Sequence, residues 1–211
     1  MQKKDAIMNW MNKTKKVMIV IVMLLAVSYA NVADAMSFGK DYSILRFENF
    51  LDNTYHQRES FIASPKFRNE VYYFDVSGTR RTRQFIVQKS GGKVAFTFRD
   101  DNYLKSGKLT VKVITCDCTF TDRCDHPTFF VIEEDGYFKY LLGMDRKQNL
   151  IKYADASTIK SYAPTYTMGD NVEIFESGKI MIHSANGNNM KKWTTTFFWD
   201  DEARWFGIKS E

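Results

Sequence analysis

The chain has 211 residues and a formal net charge of +5, with 44% hydrophobic, 15% aromatic and 26% charged residues. That balance excludes a disordered, low-complexity chain and suits one packed domain with a single core. Much of the positive charge lies in the first 35 residues, five lysines against two aspartates, which leaves 25 basic against 23 acidic residues from Met36 onward and argues against a nucleic-acid partner.

The amino terminus divides into the three parts of a secretory signal peptide. Lys13, Lys15 and Lys16 form a positive region, Val17 to Val27 an apolar run of eleven residues, and Ala33-Asp34-Ala35 a small-x-small cleavage pattern, with Ser28-Tyr29-Ala30 as a second site. Eleven apolar residues fall short of the roughly 20 that a spanning helix needs. The expectation is a signal peptide over residues 1–35, membrane contact only through it, and a single β-rich exported domain over residues 36–211, periplasmic or secreted.

In "DYSILRFENFLDNTYH", Asp41 offers a cap, and Ile44, Phe47, Leu51 and Tyr55 recur at three-to-four spacing. This predicts one amphipathic helix near the amino end. From Glu70 onward the period becomes two. Val94, Phe96 and Phe98 alternate with smaller or polar residues, as do Leu109, Val111 and Val113, and "VYYFDV", "RQFIVQ", "TFFVIE", "YFKYLL", "VEIFES", "KIMIHS" and "KWTTTFFW" are rich in aromatic and β-branched residues. All of these read as strands.

Turn signals separate them at Ser77-Gly78-Thr79, Ser90-Gly91-Gly92, Ser106-Gly107, Glu134-Asp135-Gly136, Gly169-Asp170-Asn171, Ser177-Gly178 and Asn186-Gly187-Asn188. Connections this short cannot hold a crossover helix, so neighbouring strands are expected to be antiparallel. "NLIKYA" reads as a further strand, and "DASTIKSYA", stopped by Pro164, as a short helix. The fold class expected is mainly β: one antiparallel sandwich or barrel domain with a short amino-terminal helix after the signal peptide.

All three cysteines, Cys116, Cys118 and Cys124, fall in "ITCDCTFTDRCDHPTFF", with His126 two positions after the last. Export puts them where disulfides persist, so a bridge from Cys124 to Cys116 or Cys118 is the first expectation. The thiol left over could link two copies into a homodimer. A second reading takes Cys116, Cys118, Cys124 and His126 as a zinc set, although C-x-C-x5-C-x-H is not the usual knuckle spacing. A third pairs a cysteine with His126 or His183 as nucleophile and base, with no local signature to support it.

Arg80, Arg81 and Arg83 cluster beside a hairpin turn and could hold an acidic partner; the alternative is a solvated strand edge whose charges discourage aggregation. Near the carboxyl end, Trp193, Thr195, Phe197 and Trp199 share one strand face, with Phe198 on the other and Trp205 following in "DDEARWFG". Buried, this set is core; exposed, Trp193, Trp199 and Trp205 could anchor a partner or a sugar. Acidic pairs at Asp100-Asp101, Glu133-Glu134-Asp135 and Asp200-Asp201-Glu202 read as solvated turn residues. His56 and His183 carry no motif.

No phosphate loop, G-x-S-x-G elbow or H-E-x-x-H helix occurs. No catalytic residue and no cofactor is therefore assigned. The functional expectation is an exported binding protein whose partner is another protein of the cell envelope, in the concrete form of an inhibitor or immunity-type protein against an envelope-acting toxin or hydrolase. The alternatives are an exported hydrolase drawing its acid, base or nucleophile from His126, Asp100, Glu133 or the cysteines, and a structural or adhesive envelope component.

Overall fold

The computed structural model describes residues 37–38, 42–48, 54–62, 71–79, 82–92, 95–101, 108–117, 128–144, 150–161, 167–175, 177–186, 190–200, 203 and 205–211. The chain lays down β1 (Ser37–Phe38) and β2 (Ser43–Glu48), then a four-stranded meander of β3 (Thr54–Ile62), β4 (Val71–Thr79), β5 (Arg83–Lys89) and β6 (Ala95–Asp100). β7 (Lys108–Asp117), β8 (Thr128–Glu134), β9 (Tyr137–Met144) and β10 (Leu150–Asp155) follow, and the helix α1 (Ala156–Lys160) comes next. A second meander closes the chain: β11 (Thr167–Phe175), β12 (Lys179–Asn186), β13 (Lys192–Asp200) and β14 (Trp205–Ser210). Every strand pair among the described residues is antiparallel.

These strands make three sheets in three layers. The middle sheet runs β7-β8-β9-β10, with β1 and β2 both pairing along the outer side of β7. One face of it packs on the β3–β6 sheet through Leu45, Val111, Phe130, Leu142, Phe74 and Phe85. The other packs on the β11–β14 sheet through Ile114, Phe129, Leu141, Ile180, Ile182 and Phe197. Because β8 serves both interfaces, Thr128 through Glu133 are all buried. The uninterrupted apolar run Phe129–Ile132 is the sequence form of a strand covered on both sides. In β9 a bulge between the pairs Ile132↔Tyr140 and Glu133↔Phe138 breaks the alternation, so Tyr140 faces the first core and Phe138 the second.

The mainly-β, antiparallel sandwich expected from the sequence is what the chain forms, and the short helix expected in "DASTIKSYA" is α1. Its cap is Asp155, whose Oδ1 accepts from Ser157 N at 3.0 Å and Thr158 N at 3.3 Å, while Asp155 N donates to Thr158 Oγ1 at 3.2 Å.

The amino-terminal helix is corrected: residues 43–48 and 54–62 are strands. Leu45 and Phe47 are buried at 5% and 1% exposure, while Ile44, the first residue of the supposed helical stripe, is 43% exposed. Alternation won over the three-to-four spacing because β7 offers β2 a hydrogen-bonding partner along its whole length. Two turns also move. Ser77-Gly78-Thr79 lies inside β4, which turns only beyond Thr79, where Thr79 N donates to Thr82 O at 2.9 Å. Gly169-Asp170-Asn171 lies inside β11, at a register irregularity. Glu134-Asp135-Gly136 is a tight hairpin turn with Asp135 and Gly136 at φ 51° and 81°. Ser106-Gly107 and residues 187–188 lie outside the described residues.

Candidate binding surface

Cys116 falls in β7, opposite Phe38 of β1. Cys118, Cys124, His126, Arg80 and Arg81 lie outside the described residues.

Arg83 is not a surface residue. It opens β5 directly opposite Asp100 of β6 and is fully buried, with Nη2 donating to Glu134 Oε1 of β8 and its guanidinium over the Phe85 ring at 5.8 Å. Glu134 also holds Lys139 Nζ at 3.3 Å through Oε2. Asp100 is buried and hydrogen-bonds the Tyr140 phenol, which burial first and this contact second push well above the usual tyrosine range. Reading Arg83 as a solvated edge or partner contact is therefore corrected, as is reading Asp100, Glu133 and Glu134 as solvated turn residues. Strand alternation points Arg83 into the sandwich, where Glu134 accepts from it, while Glu133 is buried on the other side of β8.

Glu133 belongs to the opposite face of β8. It is 8% exposed and binds Lys112 Nζ at 3.0 Å, and Lys112 also donates to Val172 O of β11 at 3.1 Å. Asp100 and Glu133 thus face different cores and are not brought together as an acid–base pair.

No motif links His56 with another residue, yet cross-strand register sets it among polar neighbours on the open face of the β3–β6 sheet. Asp75, 3% exposed, accepts from Arg58 Nε at 2.6 Å and Nη2 at 2.8 Å, and His56 Nε2 stands 3.6 Å from its Oδ1. Ser77 is directly opposite His56. Serine, histidine and aspartate therefore share one face, but the carboxylate is already gripped bidentately by Arg58, closer than the imidazole. His183 is placed similarly on the β11–β14 sheet, bridging Glu173 Oε2 at 3.3 Å and Thr194 Oγ1 at 3.1 Å. No group of three or more metal-ligating side chains occurs among the described residues.

The aromatic stretch of β13 divides as alternation predicts. Trp193 and Trp199 pack against the second core, and Phe197 is fully buried in it. Trp199 belongs to a knot of rings with Phe129, Tyr153 and Phe206, all centroid distances 5.1 to 5.8 Å. Gly143 lies beneath it: a Cβ there would stand 2.5 Å from Tyr153 Cε2 and 2.9 Å from Phe129 Cδ1, so only glycine lets the two rings meet over β9.

Trp205 caps this knot from outside, 4.7 Å from the Tyr153 centroid and 44% exposed. On the open face of the same sheet, register aligns Phe175, Lys179, Phe198 and Gly207 across the four strands. Phe175 and Phe198 are 39% and 41% exposed, and the Phe198 ring lies over Gly207. One end of the β11–β14 sheet thus presents three large aromatics to solvent, interleaved with Lys179 and Asp200, on a rigid four-stranded support. Such a surface can bury apolar area against a partner and supply a charge of each sign beside it. Trp205 was legible as a candidate; Phe175 and Phe198 were not, because which side of a strand faces water depends on the layer it packs against.

No helix among the described residues is long and apolar enough to cross a membrane. The chain matches no family model, no curated protein and no solved structure.

Proposed function

We propose that this is an exported protein, periplasmic or secreted, that works by binding another protein of the cell envelope, as an inhibitor or immunity-type protein against an envelope-acting toxin or hydrolase. The observation that carries this reading is that Phe175, Phe198 and Trp205 are exposed at one end of the β11–β14 sheet while Phe197 and Phe206 are buried in the core. Aromatic anchors of this kind dominate binding energy at protein interfaces. The signal-peptide pattern of residues 1–35 supports export.

Capture from envelope extract tests it. The wild-type chain is expected to retain a stoichiometric partner that Phe198→Asp and Phe175→Asp lose, with both variants melting close to the wild type because neither ring is buried. Turnover of a peptidoglycan or other glycan substrate, with no stoichiometric partner retained, would overturn the reading.

A second reading, an exported hydrolase, draws support from His56 beside Asp75 and opposite Ser77. Its measurement is hydrolysis of ester and amide substrates by the wild type and by His56→Ala and Ser77→Ala; equal rates in all three dispose of it.

A further inference from the structure

The ladder between β13 and β14 ends on a mutual pair: Thr194 N donates to Glu211 O at 2.9 Å, and Glu211 N to Thr194 O at 3.0 Å. In an antiparallel ladder such pairs alternate with pairs whose N–H and C=O groups point away from each other. The pairs Thr195↔Ser210, Phe197↔Ile208 and Trp199↔Phe206 are of the second kind. The main-chain groups of Phe206, Ile208 and Ser210 therefore point away from β13, and β14 is the last strand of its sheet.

The same counting along the other strands turns Val172 outward at the opposite edge, opposite Ile182. There Lys112 Nζ donates to Val172 O at 3.1 Å, an independent check on the alternation. The middle sheet treats its own edge in a related way: Glu48 N donates to Gln57 Oε1 at 3.2 Å and Gln57 Nε2 donates to Glu48 O, so one side-chain amide stands in for a neighbouring strand. Edges left open invite pairing, and each of these two has one outward residue, Val172 or Glu48, held by a side chain. At β14 no described residue caps the outward groups of Phe206, Ile208 and Ser210. The strand also carries a single charged side chain, Lys209.

We infer that β14 pairs antiparallel with β14 of a second copy of this chain, about a two-fold axis at Ile208, joining the two four-stranded sheets into one. The outward residues are spaced symmetrically about Ile208. The two-fold sets Ile208 against Ile208 of the second copy and Phe206 against its Ser210, so every outward donor meets an outward acceptor and each pair exchanges both of its bonds. Self-complementarity of this kind is what an isologous interface requires. Side chains agree with the register. In that register Gly207 comes opposite Lys209, and Trp205 opposite Glu211, so no like charges oppose. On the inner face each half-buried Ile208 covers the other.

The test is the mass of the natively exported, purified protein in solution, by light scattering, with reductant present throughout. The wild type is expected to be a dimer, and Ser210→Pro to halve the mass: this proline removes an N–H that points away from β13 and so spares the β13–β14 ladder. Should Ser210→Pro fail to fold, hydrogen exchange of the wild type decides, since the amides of Phe206, Ile208 and Ser210 must become protected as concentration rises and those of Gly207 and Lys209 must not change. A monomeric wild type, a dimer lost on reduction, or exchange independent of concentration overturns the inference. A monomer that captures an envelope protein in a Ser210→Pro-sensitive way also overturns self-pairing, and leaves the binding function standing.

Discussion

Arg83 of β5 and Glu134 of β8 meet across the first core, a fully buried guanidinium on one sheet donating to a carboxylate on the next. The pair ties the two layers together, because the fully buried guanidinium has no water to fall back on. Its members are not equally committed, since Glu134 also holds Lys139 Nζ at 3.3 Å. Glu134→Leu, which takes a carboxylate partner from the buried guanidinium, is expected to cost about 3–5 kcal/mol. Arg83→Met should cost less, because Lys139 remains, and the double variant less than the sum. Urea unfolding of the four proteins gives the coupling directly, and additive losses would show that the pair does not act as a unit.

Two glycines under aromatic rings should respond differently to one added methyl group. At Gly143 the Cβ meets Tyr153 and Phe129, both held inside the ring knot, so Gly143→Ala should cost about 1–3 kcal/mol as overpacking. At Gly207 the obstructing ring is Phe198, which is 41% exposed and can swing into solvent. Gly207→Ala should therefore cost less than about 1 kcal/mol, within the range of surface changes, while altering the exposed face. Thermal melting ranks the two, and equal losses would mean that the Phe198 ring is held more firmly than its exposure suggests.

Tyr140 makes stability fall in alkali. Burial, and then its hydrogen bond to Asp100, raise its folded pKa well above the unfolded value near 10. The group therefore contributes fully below about pH 10 and progressively less as pH rises beyond it. Melting temperature between pH 8 and 11 should drop more steeply in the wild type than in Tyr140→Phe. Parallel curves would place the alkaline loss elsewhere.

Asp155 makes stability fall in acid. Burial opposes its charged form, but the bonds from Lys152, Ser157 and Thr158 outweigh it and hold the pKa at about 2. A folded pKa below the unfolded one means the contribution is present above about pH 4 and lost as pH falls towards 2. Asp155→Ala should cost about 1 kcal/mol at neutral pH, the usual worth of an N-cap. Asp155→Asn should keep much of the cap and flatten the acid limb, which circular dichroism melts from pH 2 to 7 will show.

Most strands were legible because their side chains alternate or are aromatic and β-branched. Leu109–Val113 carries a period of two, Val71–Val76 and Lys192–Trp199 are rich in aromatic and β-branched residues, and β13 even divided its rings between faces as read. β3 escaped because "TYHQRESFI" is polar at most positions, and only Tyr55 and Phe61 reach the core. β2 was misread because Ile44, Phe47, Leu51 and Tyr55 fit a helix as well as Leu45 and Phe47 fit a strand. Local spacing held both answers; the open side of β7 chose between them.

The sequence by itself determined the strand-rich, antiparallel character of the domain, the short helix after Asp155 and the hairpin at Asp135-Gly136, because these follow from contacts within a few residues. The tertiary structure alone decided that there are three layers, that Arg83, Asp100, Glu133 and Glu134 are interior, and that Phe175 and Phe198 face water while Phe197 does not. Those outcomes depend on which sheet lies against which face. A period of two marks the sides of a strand as different and leaves open which side another layer will cover.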